Sequence, residues 1–452
     1  MQSSIVSYLK LQEHPEFRID AECYKPYHLK IEQSIKEKGF RLIEDCSISV
    51  INFGAYSLCN HIEFLDYGKP FLVTEDIKNN VIETGKLHYI AEEVHLLLHK
   101  SHCVKGQVLL TMAGAYLGQA AVFNEDFECS SNQAIAKITL KPNSISPYWL
   151  STFLNCKHGQ SQIERFKTGT GQPNLNLGLI KLIKVVEASA HFQAKIEQLV
   201  KNALVSRQKS LNIYEETEIL LFSELGLTDW HPKHCLSFVR NYSETEQAGR
   251  LDAEYFQPKY EKVLSALWKN NGVPLHEIAS VRKGRQARST TGTIPYASIK
   301  DINNNLIETS EFAHYDKRLV TVRKNDLALA ITGATIGKVG INIKDEKIAI
   351  CGDLLKIRTK NVSPYYFLAF LGLSIITDLF KSNITGMTNG HLSPDTVKNL
   401  PVPLLEEKTI ERIDNGIRKA FTLRQQANNA LECAKRAVEL AIEQDEQTAM
   451  DW

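Results

Sequence analysis

The chain has 452 residues and a formal net charge of +1, with 53 basic and 52 acidic side chains. That length predicts two or three domains of ordinary size. Hydrophobic residues make up 43% of the chain, and no apolar run approaches the roughly 18 residues that a membrane-spanning helix needs. We therefore expect a globular protein without a membrane segment. Any nucleic-acid surface must be a local concentration of basic residues, because the total charge is nearly balanced.

The N-terminus and the cysteines both predict a cytoplasmic protein. The first residues, MQSSIVSYLKLQEHPEF, lack the charged start and the long apolar core of a secretion signal. The nine cysteines stand singly, without a C-x-x-C pair. This distribution is typical of reduced thiols rather than of disulfides or a zinc site.

A sequence repeat organises the chain from its start. The phrase RIDAECYKP at Arg18–Pro26 returns as RLDAEYFQP at Arg250–Pro258. Each copy is followed, in the same order, by short β segments with Gly and Asn turns, a Gly-rich loop, and a helix start of the form Ser-Pro-Tyr at Ser146 or Ser363. A period of about 220 residues is far longer than a solenoid repeat, so we infer a duplicated domain.

Each half ends in a long predicted helix, the first over about Ala188–Leu225 and the second over about Leu404–Glu446. Apolar and small residues recur there in alternating steps of three and four, which is the spacing of a heptad seam. The predicted seam residues are Ile196, Val200, Ala203, Ile413, Ile417, Ala420 and Leu431. We expect the two helices to pair antiparallel, because a whole globular domain separates them in sequence. The alternative is that each helix packs only on its own domain.

Two arginines, Arg207 and Arg424, interrupt the seam at equivalent positions. One interpretation is that each side chain extends outward over its aliphatic stem to reach water. The other is that each fixes the helix register by pairing across the seam with an acidic residue. The sequence leaves both interpretations open.

Several motifs suggest catalysis, but each departs from the pattern that the chemistry needs. GATIGK at Gly333–Lys338 has one residue too few between its glycines for a phosphate loop. Asp326 with residues 345–347 suggests a metal-dependent nuclease, yet the first copy has Gln107 in place of Asp326 and no matching lysine. A local cluster of potential metal ligands consists of His95, His99, His102 and Cys103. The chain also lacks the Pro-Pro-aromatic signature of amino-methyltransferases. We expect neither a catalytic nor a metal site.

Residues suited to DNA recognition are concentrated in the second half. Residues 281–300 carry five basic side chains and no acidic one. Arginine and lysine neutralise phosphates, and arginine also binds guanine edges in the major groove; the alternative is a solvated charged face. The predicted DNA-binding residues of this half are Arg282, Lys283, Arg285, Arg288, Thr335, Lys338, Asn389 and His391.

The first half has a nearly neutral stretch, INFGAYSL at Ile51–Leu58, where the second has its basic segment. We therefore expect this half to use aromatic side chains and its TGTGQPNLN loop, whose amides and hydroxyls can contact bases or phosphates. Its predicted DNA-binding residues are Tyr56, Tyr116, Thr170, Gln172, Asn174 and Asn176. The glycine and apolar positions match between the two loop copies while the polar tips differ, as reading two different sequences requires.

The chain resembles the specificity (S) subunits of type I restriction-modification systems. The resemblance is carried by the two TG-x5-L loops, the TGATIG loop at Thr332–Gly337, the run NLPVPLLEEKTI at Asn399–Ile410, and the tandem layout. The loop positions are Thr168, Gly169 and Leu175 in the first copy and Thr385, Gly386 and Leu392 in the second. Each motif is short, but their ordered duplication extends over essentially the whole chain.

This resemblance implies an α+β fold with two tandem duplicated target-recognition domains joined by two long antiparallel coiled-coil helices. The implied boundaries are residues 1–187 and 229–403 for the domains and 188–228 and 404–447 for the helices. It further implies a non-catalytic reader of double-stranded DNA, each domain contacting one half of a split site while the helices set the spacer.

The implied partners are two methyltransferase subunits, docked on the helices and using S-adenosylmethionine, and a restriction and translocase subunit using ATP and magnesium. No cofactor is expected in this chain itself. Two alternatives from other classes remain at the level of the sequence. One is a self-sufficient DNA-modifying enzyme, and the other is an interaction scaffold without a DNA role.

Overall fold

The computed structural model describes residues 4–54, 62–169, 171, 173–228, 230, 233–287, 292–385 and 390–452. The chain divides into two compact units. Unit 1 comprises Met1–Arg207 and Arg424–Trp452, and unit 2 comprises Gln208–Leu423. Each unit therefore contains one copy of the duplicated domain together with part of each long helix.

The first copy contains short helices and strands in alternation. Its helices are α1 Tyr8–Gln12, α2 Pro26–Lys38, α3 Ile43–Cys46, α4 Glu92–Leu97, α5 Pro147–Asn155, α6 Lys157–Phe166 and α7 Leu177–Lys181. Its strands are β1 Phe40–Leu42, β2 Ser47–Ile51, β3 Lys69–Leu72, β4 Ile77–Lys78, β5 Val81–Ile82, β6 His88–Ile90, β7 His102–Cys103, β8 Val108–Thr111, β9 Ala120–Val122, β10 Cys129–Ser131, β11 Ile135–Leu140 and β12 Lys184–Val186. The predicted Ser-Pro-Tyr start is confirmed, because the Ser146 hydroxyl accepts from the Tyr148 amide at 3.2 Å and caps α5.

Two four-stranded sheets form the body of the first copy. Their strand orders are β2-β11-β8-β9 and β6-β3-β10-β7, with β1-β12 and β4-β5 as separate pairs. The strands β3 and β10 run parallel, whereas β11 runs antiparallel to both of its neighbours. The core on the first sheet contains fully buried aromatic side chains from α5, among them Trp149 and Phe153.

The remaining elements begin with the first long helix, α8 Ala190–Glu224. The later helices are α9 Tyr242–Ala248, α10 Pro258–Lys269, α11 Leu275–Ile278, α12 Pro364–Gly372, α13 Ser374–Ser382, α14 Pro394–Lys398, α15 Glu407–Glu443 and α16 Glu446–Asp451. The later strands are β13 Gly272–Pro274, β14 Ala279–Lys283, β15 Ile294–Ala297, β16 Ile302–Asn303, β17 Leu306–Ile307, β18 Phe312–Ala313, β19 Thr321–Val322, β20 Leu327–Ala330, β21 Val339–Ile341, β22 Ile348–Ile350, β23 Leu354–Thr359 and β24 Pro401–Pro403.

The second copy repeats the strand order of the first. Its sheets are β14-β23-β20-β21-β17-β16 and β18-β15-β22-β19, with β13-β24 as a separate pair. The parallel pair also recurs, since β15 runs parallel to β22. The one difference in the described sheets is that β17 pairs with β21, Leu306 lying opposite Ile341, which joins the β16-β17 hairpin to the larger sheet. Equal strand order confirms the domain duplication predicted from the repeat.

The long helices pair antiparallel inside unit 2. The Ser210 hydroxyl on α8 donates to the Ala420 carbonyl on α15 at 2.6 Å. Further along α8, the Thr217 hydroxyl lies 2.5 Å from the place where a Cβ on Gly416 would stand. Residue numbers therefore rise along one helix as they fall along the other. The predicted seam residues are between 0% and 3% exposed: Ile196, Val200, Ala203, Ile413, Ile417, Ala420 and Leu431.

Inside unit 1 the seam also packs on the globular domain. Val200 and Ala203 of α8 share one core with Leu431 of α15 and with Tyr148 and Trp149 of α5. The expected helix pairing is confirmed, and the alternative that each helix packs only on its own domain is wrong. Both kinds of packing occur together.

Arg207 pairs with an acidic residue, but not across the seam. Its guanidinium forms a salt bridge with Glu83, just after β5, and its side chain is only 12% exposed. Both interpretations of Arg207 are therefore corrected: the side chain neither reaches outward into water nor joins the two helices. It ties α8 to the globular domain of unit 1, because a partly buried charge needs a charged partner.

The long helices α8 and α15 lie within the ranges 188–228 and 404–447 that were expected to be helical. Each long helix is divided between two units, near Arg207 and near Arg424. A short additional helix, α16, follows α15 and was not predicted; its cap, Asp445, accepts from the Thr448 amide at 2.7 Å. The four predicted boundaries themselves stay a prediction.

Among the described residues, no single helix is both long and apolar enough to cross a bilayer. Taken together, α12 and α13 have the length and the apolar composition of a span, but the pair is bent by 66°. Tyr366, Phe367 and Phe370 of α12 are fully buried in the unit 2 core.

Candidate nucleic-acid interface

Two loops meet in unit 2, one following β20 and one following α13. His391 forms β-bridges with both Thr332 and Thr385. Next to these bridges, the Leu392 amide donates to the Ile331 carbonyl at 2.9 Å. Main-chain hydrogen bonds thus join the second loop to the first, which places the two predicted recognition loops side by side.

The tips of these loops carry the predicted side chains. Thr335 lies in a 3-10 turn, Gly333–Thr335, and is exposed, as is His391, while Lys338 is half-buried. The predicted Asn389 lies outside the described residues. The structure therefore brings Thr335 and His391 onto neighbouring loops of one surface.

Unit 1 builds the same loop pair. Asn174 forms β-bridges with both Ala113 and Thr168, and the Leu175 amide donates to the Met112 carbonyl at 2.8 Å. Asn174 thus occupies the place that His391 has in unit 2. The strand correspondence likewise puts Tyr116 at the place of Thr335. The scaffold is repeated while the side chains at its tips differ.

Several polar groups predicted for unit 1 take part in the fold itself. The Asn176 side-chain oxygen caps α7 by accepting from the Leu179 amide at 2.9 Å, and its amide donates to Glu16 at 3.2 Å. The Asn174 side-chain oxygen accepts from the Leu175 amide at 3.0 Å. These contacts give both asparagines a structural role that sequence reasoning missed. Their DNA contacts stay a prediction.

The remaining predicted residues of unit 1 are aromatic or polar loop residues. Tyr116 is 37% exposed, and the Lys78 ammonium lies 5.7 Å from the centre of its ring. Tyr56, Thr170 and Gln172 lie outside the described residues. Lys78 was not predicted; it contributes a cation beside the exposed ring.

The basic segment of unit 2 follows the edge of a sheet. Arg282 and Lys283 are exposed on β14, the terminal strand in the order of the six-stranded sheet. Neighbouring residues on a strand point to opposite faces, so the two cations address different sides. Gly284 follows, and a Cβ there would stand 2.0 Å from the Cys351 carbonyl oxygen. Only glycine allows that close passage, after which Arg285 is again exposed.

A further arginine, from outside the basic segment, lies near it. Arg318 forms a two-pronged salt bridge with Asp316 and lowers the pKa of that carboxyl, and Arg285 adds to the same effect from further away. The fold thus brings Arg318 near Arg285 although strands β15 to β18 separate them in sequence, and no local pattern predicts it. Lys300, in the same basic stretch, pairs with Glu311. Arg288 lies outside the described residues.

The suspected catalytic groups have structural roles. The Asp326 carboxylate is 1% exposed and binds Arg358 through contacts of 2.6 and 2.7 Å and Lys356 at 3.0 Å. At the equivalent place in unit 1, the Gln107 amide donates to Thr139 at 3.0 Å. The same place therefore holds an ion pair in one copy and a neutral hydrogen bond in the other, which indicates a contact that stabilises the fold. They do not indicate a nuclease centre.

The two other suspected sites also lack the required geometry. The Gly333–Lys338 loop leads into strand β21, whereas a phosphate loop leads into a helix whose N-terminus faces the anion. The His102 ring donates to the His95 carbonyl at 2.7 Å, and the His95 ring bonds the Ser130 hydroxyl at 2.9 Å. Across the described part of the chain, no three His, Cys, Asp or Glu residues are grouped to hold a metal ion.

Two solved structures resemble the chain over most of its length. The S subunit of a type I restriction-modification system from M. genitalium covers 91% of this chain and 95% of its own, at 13% identity and a TM-score of 0.40. The HsdS subunit from Thermoanaerobacter tengcongensis covers 90% of this chain and 97% of its own, at 13% identity and a TM-score of 0.29.

A sequence relative matches a shorter part of the chain. It is the specificity subunit of the type I restriction enzyme EcoBI from Escherichia coli, 24% identical over 143 residues. The match covers 28% of this chain and 30% of the relative, so it spans less than a third of the relative's length.

The second half of the chain matches a family model directly. Residues 269–432 match the type I restriction modification DNA specificity domain. This range contains the basic strand, both predicted recognition loops of unit 2 and much of α15. Residues 269–432, about a third of the chain, are therefore similar to the type I restriction modification DNA specificity domain, in agreement with the family resemblance predicted from the ordered motifs.

Proposed function

We propose that this chain is the non-catalytic DNA sequence-specificity subunit of a type I restriction-modification complex. In this proposal the paired loops of each unit read one half of a split DNA site. The observation that carries it is that one loop scaffold occurs twice with different tips, Tyr116 and Asn174 in unit 1 against Thr335 and His391 in unit 2. Base-reading side chains must differ between half-sites, whereas the scaffold that positions them can stay the same.

The helix pair supplies the second part of the proposal. We assign α8 and α15 to setting the spacer between the half-sites and to docking two methyltransferase subunits. These partners bring S-adenosylmethionine and methylate adenine, and a restriction and translocase subunit brings ATP and magnesium. The chain itself holds no cofactor in this proposal, and the complex works in the cytoplasm. The small buried residues of the seam, such as Ala203 and Ala420, let the helices approach closely.

The DNA contact is tested by the affinity of the full chain for fluorescent duplex at several salt concentrations. The variant R282A/K283A removes two exposed cations of β14. We expect weaker binding to all duplexes and a log–log salt slope that is lower by about one for each lost phosphate contact. The matched control, K262A/K269A, removes two exposed lysines of α10 and is expected to keep wild-type binding.

Other outcomes distinguish the alternatives. Equal losses of DNA affinity in both double variants would mean that binding depends only on the total charge of the chain. In that case β14 is not a contact surface. Methyl transfer or cleavage by the pure chain, given S-adenosylmethionine and magnesium, would establish a self-sufficient enzyme. A chain without measurable duplex binding, even together with its partner subunits, would be an interaction scaffold.

A further inference from the structure

Two cysteines of unit 1 lie directly opposite each other on neighbouring strands. Cys103 of β7 is the antiparallel partner of Cys129 in β10. Opposed residues on antiparallel strands have Cα atoms roughly 4.5–5.5 Å apart, which falls within the range that a disulfide spans. Cys103 is 8% exposed and Cys129 is 1% exposed. The pair is therefore positioned for a bond, and Cys103 is the more exposed of the two buried residues.

A buried lysine lies beside the two thiols. Lys137 of β11 is fully buried, and its ammonium donates to the Ser131 hydroxyl at 3.1 Å. Burial lowers the pKa of Lys137 to about 8, while negative charge on Cys103 and Cys129 acts to raise it. A buried cation needs an anion, and in this cluster a thiolate can supply it.

The two thiols have different acidities. A hydrogen bond from Cys129 lowers the pKa of Cys103 despite its burial, with help from the charge of Lys137 and a hydrogen bond with Ser131. The same hydrogen bond, together with burial, raises the pKa of Cys129. Cys103, the more exposed residue of the pair, therefore takes the place of the nucleophile, with Lys137 favouring its thiolate, as in dithiols that undergo oxidation.

The equivalent strands of unit 2 pair without cysteines, so the fold does not require the two thiols. At the equivalent positions Val322 lies opposite Ile348, so an apolar pair serves the same two strands. The lysine is kept as Lys356, but there it pairs with the carboxylate of Asp326. Unit 1 has an amide at the place of that carboxylate. The dithiol with its unneutralised lysine is therefore specific to unit 1.

We propose that Cys103 and Cys129 form a peroxide-responsive dithiol site whose oxidised product is a disulfide joining β7 to β10. The Cys103 thiolate attacks one oxygen of hydrogen peroxide, the O–O bond breaks, and a sulfenic acid and hydroxide form. The Cys129 thiol then attacks the sulfenic sulfur, so that the S–S bond forms and the oxygen leaves as water. The proton released from Cys103 neutralises the hydroxide, and the sum is two thiols and one peroxide giving one disulfide and two waters. This site is independent of DNA recognition.

The experiment treats the full chain with hydrogen peroxide, alkylates the remaining thiols, and identifies linked peptides by mass spectrometry. We expect a peptide pair linked through Cys103 and Cys129 that dithiothreitol separates, while the other cysteines are alkylated. The matched variant C103V/C129I copies the apolar pair of unit 2 and is expected to fold and to give no link. Alkylation of both cysteines, or oxidation of Cys103 to a sulfinic acid without a link, would overturn the proposal.

The lysine is tested as a positioning residue by the rate of disulfide formation. The variant K137M keeps the side-chain volume and removes the charge. We expect the disulfide to form about tenfold more slowly at neutral pH, because the rate depends on the thiolate fraction of Cys103. Equal rates in the variant and the wild type would remove the lysine from the proposal.

Discussion

Glu32 on α2 is surrounded by cations from other parts of unit 1. Its carboxylate lies 2.9 Å from Lys10, 2.8 Å from Arg165 and 3.4 Å from Lys184. Burial alone acts to raise the pKa of Glu32, but the hydrogen bond from Lys10 and the charge of Arg165 outweigh it and lower the pKa to about 2. The Glu32 carboxylate therefore stabilises unit 1 at every pH at which it is ionised.

This carboxylate predicts a pH-dependent stability. Its pKa is lower in the folded than in the unfolded chain, so its contribution is fully present above pH 4.5 and is lost as the pH falls towards 2. We expect E32Q to lower the free energy of unfolding at pH 7 by about 2 kcal/mol. The difference between variant and wild type should shrink below pH 4.5 in urea titrations. A pH-independent difference would contradict the assignment.

Asp326 gives a second prediction about the stability of the fold. We expect D326N to lower the free energy of unfolding by about 2–3 kcal/mol, because it leaves Arg358 and the largely buried Lys356 without their anion. The double variant D326Q/R358T copies the neutral pair of unit 1 and should recover part of that loss. Urea unfolding measures both. Unchanged stability in D326N would contradict the structural role of this carboxylate.

Among the elements, the long helix pair gives the most direct test of packing. Ile417 on α15 is fully buried in the seam, and Lys419, two residues further on, is exposed. We expect I417A to lower the free energy of unfolding by about 2–4 kcal/mol through lost burial and a residual cavity. The control K419A should stay within about 0.5 kcal/mol of the wild type. Similar effects of the two variants would contradict the seam.

Sequence patterns were sufficient for the elements whose stability is local. The heptad spacing predicted α8 and α15 to within a few residues, and the Ser-Pro-Tyr motif predicted the start of α5, because periodicity and capping act within one or two turns. The partner of Arg207 was missed, since Glu83 is brought to it by tertiary folding. The capping role of Asn176 was also missed, although an asparagine directly before a helix is a recognisable cap.

The candidate interface was predicted only in outline. The repeat identified both loop pairs, because equal scaffolds leave equal glycine and apolar positions. The sequence could not predict which polar groups are already bonded within the fold. The hydrogen bond of Asn176 to Glu16 joins segments that are distant in sequence, and the pairing of Lys300 with Glu311 joins neighbouring loops. Arg318 was missed for the same reason.

At the scale of the whole molecule, the proposed spacer role of the helices predicts a change in the DNA site. Removing one heptad from each of α8 and α15 shortens each helix by about 10 Å. We expect the shortened chain to accept a different spacer while reading the same bases in both half-sites. Methylated motifs recovered from cells that carry the shortened chain measure this. An unchanged spacer would remove the helices from that role.

In the proposed function, each unit reads its own half of a split DNA site. Its most direct test is a genome-wide map of methylated adenines in the host with wild-type chain, with R282A/R285A in unit 2, or with Y116A in unit 1. We predict that each variant relaxes one half of the methylated motif, that the two variants affect opposite halves, and that the spacer is kept. Relaxation of both halves by either variant, or of the same half by both, would contradict the account.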